Sequence, residues 1–145
     1  MRPYPPLLYG AGLLLALVGH LVAPLALPGV WWVRLLGLAP VAVAAVLALS
    51  AERAFARAQT PMMPFTNASS LLTSGPFRIS RNPIYLGFTL AVVGIALLSA
   101  SWWPLITLPL VVAAMTWVIR GEEQRLTEIF GDDYRRYRAR VRRWL

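Results

Sequence analysis

Two short runs of this sequence carry residue types that can do chemistry. Asn82-Pro83 opens an apolar stretch with Arg78 and Arg81 just before it, and Glu122-Glu123 closes another. Asn is a favoured N-cap and Pro a favoured first helical residue, so the first run reads as a helix start. Its backbone N–H groups and positive dipole end, beside two arginines, make a site for a carboxylate or phosphate. The plainer alternative is a helix start whose arginines only set topology, and the local sequence leaves both open. Glu122 and Glu123 follow a helix end, where the dipole disfavours negative charge, so something positive is expected to offset them. Arg120 and Arg125 are within reach, and a ligand would serve equally.

The elements that must position these runs are membrane spans. At 145 residues, 58% hydrophobic and 14% charged, the chain is expected to form one domain, residues 1–145, and is too apolar for a soluble globule of this size. A helix needs about 20 apolar residues to cross a bilayer, and four segments qualify: residues 7–27, 31–51, 83–100 and 102–119. Pro28-Gly29 joins the first pair and Ser99-Ala100-Ser101 the second, so the expected fold is all-α, four transmembrane helices in two tight antiparallel hairpins. Met1-Arg2 before an apolar run resembles a signal peptide. The run is longer than the roughly 7–15 residues of a signal core, and is read as a retained span.

All 14 basic residues are Arg, and their placement gives the orientation. The connector 52–82 holds four, the tail 120–145 holds eight, and the two short turns hold none, so connector, tail and both termini are expected on the cytoplasmic side. Trp31, Trp32, Trp102 and Trp103 then lie at the outer interface, where Arg34 is expected to snorkel to the headgroups. The formal charge of +8 is therefore a topology signal and not a nucleic-acid footprint. In the tail, Leu126, Ile129, Phe130, Tyr134, Tyr137, Val141 and Trp144 recur at helical spacing, which predicts a cytoplasmic amphipathic helix along the interface or folded back over the bundle. Gly131-Asp132-Asp133 is placed to kink or cap it.

The second hairpin returns the end of the fourth span to the level where the third begins, so Asn82, Tyr85 and Glu122 can converge. An anion-binding helix start beside an acidic helix end suits a zwitterionic ligand. The methionyl part of S-adenosylmethionine is one, and a phospholipid headgroup is another. Other chemistries are excluded more simply. There is no Cys, so no disulfide, thiolate metal site or Cys nucleophile, and His20 is the only His, so no metal site is expected. Gly10-Ala11-Gly12 lies inside a span and reads as helix packing; His20 reads as a packing or interfacial residue; Pro40, Pro104 and Pro109 can kink their helices. A proton-coupled transporter needs an ionisable residue within a span, and no carboxylate lies within any of the four.

The run Ser69-Ser-Leu-Leu-Thr-Ser-Gly-Pro-Phe-Arg-Ile-Ser-Arg-Asn-Pro-Ile-Tyr-Leu-Gly87, followed by Glu122-Glu123 and Phe130-Gly131-Asp-Asp-Tyr134, resembles the isoprenylcysteine carboxyl methyltransferase and phospholipid methyltransferase superfamily. The likeness begins at Ser69 and runs through the C-terminal half. It implies a membrane enzyme, in a chain of this composition one of the bacterial inner membrane, that binds S-adenosylmethionine from the cytosol, releases S-adenosylhomocysteine, uses no metal, and methylates a lipid or other lipophilic acceptor. Carried over by position, the cofactor contacts are Ser69, Ser70, Leu71, Leu72, Phe77, Asn82, Pro83, Ile84, Tyr85 and Glu122, with Met62 a weaker match. The family usually has His where Asn82 stands, so a titrating imidazole is lost there while N-capping is kept. The carboxyl methyltransferases carry an acceptor-linked Arg where this chain has Val118. Arg120 and Arg81 are the candidates for orienting an anionic acceptor. A scaffold of the same fold, or a sterol-reductase-type relative, is the competing expectation.

Overall fold

The structure, a computed structural model, describes residues 4–27, 31–59 and 70–145. Among the described residues the regular structure is helical: α1 (Pro5–Val22), α2 (Trp31–Leu36), α3 (Leu38–Arg57), α4 (Pro83–Leu98) and α5 (Trp103–Arg140), with a 3-10 turn at Gly75–Arg78. The all-α expectation holds. Three rods are long and apolar enough to cross a membrane: Pro5–Val22, the continuous Trp31–Arg57 formed by α2 and α3, and Trp103–Arg140. α4 is equally apolar but has 16 residues, about 24 Å of helix against a hydrocarbon core of about 30 Å. Leu14, Leu17 and Leu21 on α1, and Val43, Val46 and Leu49 on α3, remain exposed, as a lipid-facing surface requires.

Local chemistry accounts for the breaks. Pro40 has no N–H to give the carbonyl four residues earlier, and its ring crowds that carbonyl, so the regular hydrogen bonding of the rod is interrupted at Gly37, whose backbone stays in the helical region. Gly37 also lets α4 come close, because a Cβ there would sit 2.7 Å from the Gly94 carbonyl oxygen. Pro109, by contrast, sits inside α5 without ending it. α5 turns at Gly131, whose φ of 52° and ψ of −123° suit only glycine. The arm beyond folds back over the bundle. Tyr134 and Tyr137 on it pack with Ala51 and Phe77, ringed by Phe55, Leu71, Leu72, Ile84 and Phe130. A second cluster, Tyr9, Val92, Val111, Met115 and Ile119, fills the space between α1, α4 and α5.

One expectation is corrected. The second hairpin forms, α4 returning as α5 through a turn in which Ser101 N–H bonds the Ala96 carbonyl at 3.0 Å. The first does not, because α1 packs along α5, and α2 and α3 pack along α4. The cause lies just after α1, where the extended residues 23–27 cross the end of the bundle and pair with the α4–α5 turn. Leu27 N–H donates to Ala100 O at 2.8 Å, Trp102 N–H donates to Leu25 O at 3.0 Å, and Ala26 faces Ser101 as an antiparallel bridge. Trp103 Nε1 adds a bond to Ala23 O at 2.7 Å. His20, expected to serve packing, lies 3.2 Å from Ser101 Oγ through Nδ1. The Pro28-Gly29 turn itself lies outside the described residues.

Candidate functional site

α4 begins and the membrane-crossing part of α5 ends at the Arg-rich face, so residues from both meet there. Tyr85, in the first turn of α4, donates its hydroxyl to Glu122 at 3.2 Å from Oε1 and 3.4 Å from Oε2. The expected convergence of Tyr85 with Glu122 is therefore present. Tyr85 is held from behind by α1: Tyr9 OH donates to its backbone carbonyl at 3.0 Å and lies 2.8 Å from Thr89 Oγ1.

Asn82 stands at the N-cap position, and its carbonyl accepts Leu86 N–H at 3.0 Å. Its side chain does not cap the helix, which corrects the expected role. The amide is drawn instead to the tail, with Nδ2 donating to the Arg143 carbonyl at 3.0 Å. Among the described residues no side chain caps the first N–H groups of α4, and Pro83, which has no N–H, wastes none of them.

Glu122 and Glu123, adjacent on a helix, point about 100° apart, and the second carboxylate does something different from the first. Glu123 is 5% exposed. Arg143 grips it with two hydrogen bonds, Nε to Oε1 at 3.0 Å and Nη2 to Oε2 at 2.7 Å. Arg81 Nη1 lies 3.0 Å from Oε1, but without hydrogen-bond alignment. The positive charge expected near the glutamate pair thus reaches Glu123 from Arg81 and Arg143, neither of them on the same turn of helix. Hydrogen bonding to Glu123 raises the Arg143 pKa above its ordinary value against a smaller opposing desolvation, so this guanidinium stays charged.

The remaining predicted residues separate into two groups. Leu71, Leu72, Phe77 and Ile84 pack in the Tyr134–Tyr137 cluster, where they support the start of α4 from below. Phe77 meets Phe55 edge-on at 5.7 Å, and its carbonyl accepts the Tyr137 hydroxyl at 2.7 Å. Ser70 Oγ donates to Ala58 O at 3.4 Å, tying the connector back to the end of α3. Ser69 and Met62 lie outside the described residues. Of the two acceptor-orienting candidates, Arg81 is buried against Glu123. Arg120 is exposed and borders a cleft of about 770 Å³ with Gln124, Thr127, Arg138 and Arg143, with Glu123 among its walls. Val118, where the carboxyl methyltransferases carry Arg, is fully buried.

Two contributors escaped the sequence reading, Tyr9 and Arg143, and a third, Trp144, is legible there only as part of the apolar stripe of the tail. Trp144 packs against the Tyr9–Met115 cluster, against which Tyr85 also lies. It is partly buried and lies beyond the tail helix, which ends at Arg140. An aromatic residue after a run of arginines was the available signal, since a purely solvated charged tail has no use for an indole.

A family model described as phospholipid methyltransferase matches residues 32–133. The match takes in α2 and α3, further toward the N-terminus than the motif likeness, and ends before the last part of the tail. No curated protein and no solved structure matches the chain. The match covers most of the chain, including the Asn82-Pro83 helix start and the glutamate pair. It joins apolar rods long enough to cross a membrane, and on these grounds the chain belongs to the phospholipid methyltransferase family and is an integral membrane methyltransferase.

Proposed function

We propose that this protein transfers a methyl group from S-adenosylmethionine to a lipophilic acceptor, a carboxylate, amine or thiol, at the cytoplasmic face of a bacterial inner membrane. The observation that carries the reading is the meeting of Tyr85 and Glu122 beside the uncapped start of α4. A carboxylate and open backbone N–H groups within one site match the ammonium and carboxylate of an amino-acid zwitterion. Glu122 would hold the ammonium group, and the N–H groups of Ile84 and Tyr85 the carboxylate. Tyr85 fixes the Glu122 carboxylate in place. The cofactor supplies an electrophilic methyl on a sulfonium, so what remains for the protein is to align the acceptor and exclude water.

The reading places α4 as a fourth span and both termini in the cytosol, consistent with Arg78, Arg81 and the tail arginines all lying at one end. The acceptor comes from the bilayer and the cofactor from water, so a site at the boundary admits each from its own side. A buried Val118 speaks against carboxylate recognition at that position. Arg120 at the cleft is the candidate for orienting an anionic acceptor.

The test is calorimetric titration of S-adenosylhomocysteine into the detergent-purified protein, with Glu122→Gln beside it. Loss of a charged hydrogen-bond acceptor is worth about 1.5–3 kcal/mol, so affinity is expected to fall about 10- to 150-fold. Equal affinity in the two proteins would remove Glu122 from the site, and no binding by the folded parent would remove the cofactor.

A further inference from the structure

Residues 141–145 leave α5 and run back across the start of α4. The Arg142 carbonyl accepts Arg81 N–H at 3.0 Å. The Arg143 carbonyl accepts Ser80 Oγ at 3.2 Å and Asn82 Nδ2 at 3.0 Å. Arg143 therefore holds two elements at once, α5 through its guanidinium on Glu123 and the α4 start through its carbonyl on Asn82. Trp144 follows directly and packs, as Tyr85 does, against the cluster of Tyr9, Val92, Val111, Met115 and Ile119. Every one of these tail residues lies beyond the stretch matched by the family model.

We propose that Arg143 and Glu123 are positioning residues for the methyl-transfer site, clamping the tail so that it sets the start of α4 against Glu122. The proposal rests on the cofactor reading above. Its physical content is twofold. Glu123 neighbours Glu122, and Asn82 lies one helical turn before Leu86 and three residues before Tyr85, so the clamp fixes both sides of the Tyr85–Glu122 contact. It also holds the Asn82 amide away from its own helix. Asn is among the strongest N-caps, and released from Arg143 it would compete with an anionic ligand for the α4 N–H groups.

The experiment uses the full chain in detergent, with S-adenosylhomocysteine titrated calorimetrically into the parent, Arg143→Gln, Arg143→Lys, Trp144→Ala and the Arg143→Gln/Glu123→Gln pair, and thermal unfolding followed by tryptophan emission. Glu123→Gln alone leaves two guanidinium groups beside a neutral amide and can fail to fold, so the test rests on Arg143 and Trp144. Arg143→Gln is expected to weaken binding about tenfold, which corresponds to about 1.4 kcal/mol of lost contact at the displaced start of α4. Arg143→Lys should recover part of the loss, Trp144→Ala should weaken binding without any change of charge, and the double variant should be no worse than Arg143→Gln. A merely structural link would lower the melting temperature and the number of binding sites while leaving Kd of the folded fraction unchanged. Unchanged Kd in folded Arg143→Gln and Trp144→Ala overturns the clamp and leaves the cofactor reading standing. A folded parent that does not bind overturns both.

Discussion

Glu122 and Glu123 share a residue type and a helix turn, yet one meets a phenol and the other two guanidinium groups. The first pairing was legible in the sequence, because a short turn between two apolar runs of similar length brings the start of one back to the end of the other. The second was not. Glu123 finds Arg143 twenty residues on, in a tail with eight arginines, and nothing in their order says which one turns inward. Val118 makes a sharper residue-scale prediction. It is fully buried, so Val118→Arg, which would restore the residue of the carboxyl methyltransferases, places an unpaired charge in the core. The expected cost is on the order of 3–5 kcal/mol, read as a lower melting temperature without gain of an acceptor.

Hydropathy located the apolar helices, because burial in lipid demands long apolar runs whatever the tertiary contacts, but the first run, read as a span to Leu27, is helical only to Val22. Hydropathy also joined α2 to α3 as one span, as the continuous rod bears out, and only Pro40 hinted at the interruption at Gly37. In the tail the helical spacing was legible, and so was the kink, since Gly131 is followed by two helix-starting Asp residues. Asp132 and Asp133 pair with Arg135 and Arg136 in the first turn of the arm, as that reading would have it. Gly131→Ala tests the kink as an element. A Cβ there meets no neighbour within 4 Å, so any penalty comes from backbone strain, about 1–3 kcal/mol. Thermal unfolding should fall accordingly, and limited proteolysis should then cut between Phe130 and Tyr134.

The order of helices across the bundle was not legible at all. A helix that is apolar all round has no face marked for a neighbour, and α3 buries only Ala44 and Ala51. The chain's route was decided by residues 23–27, a few backbone hydrogen bonds that leave no pattern in composition. Ala26→Cys/Ser101→Cys tests that route on a background without native cysteine. Residues facing each other across an antiparallel bridge are about 4.5–5.5 Å apart at Cα, within disulfide range. Oxidation in membranes should close the pair without loss of fold, as read by the mobility shift on reduction.

α4 is the short member of the set, and at its start sit Tyr85 and the open N–H groups. On the four-span reading this is a hydrophobic mismatch, which a bilayer meets by thinning around the helix. Thinning lowers the lipid headgroups toward the site. An acceptor anchored by its hydrocarbon tail could then present its polar end to the site without rising out of the leaflet, so that the enzyme would reach its substrate by deforming the solvent it lives in.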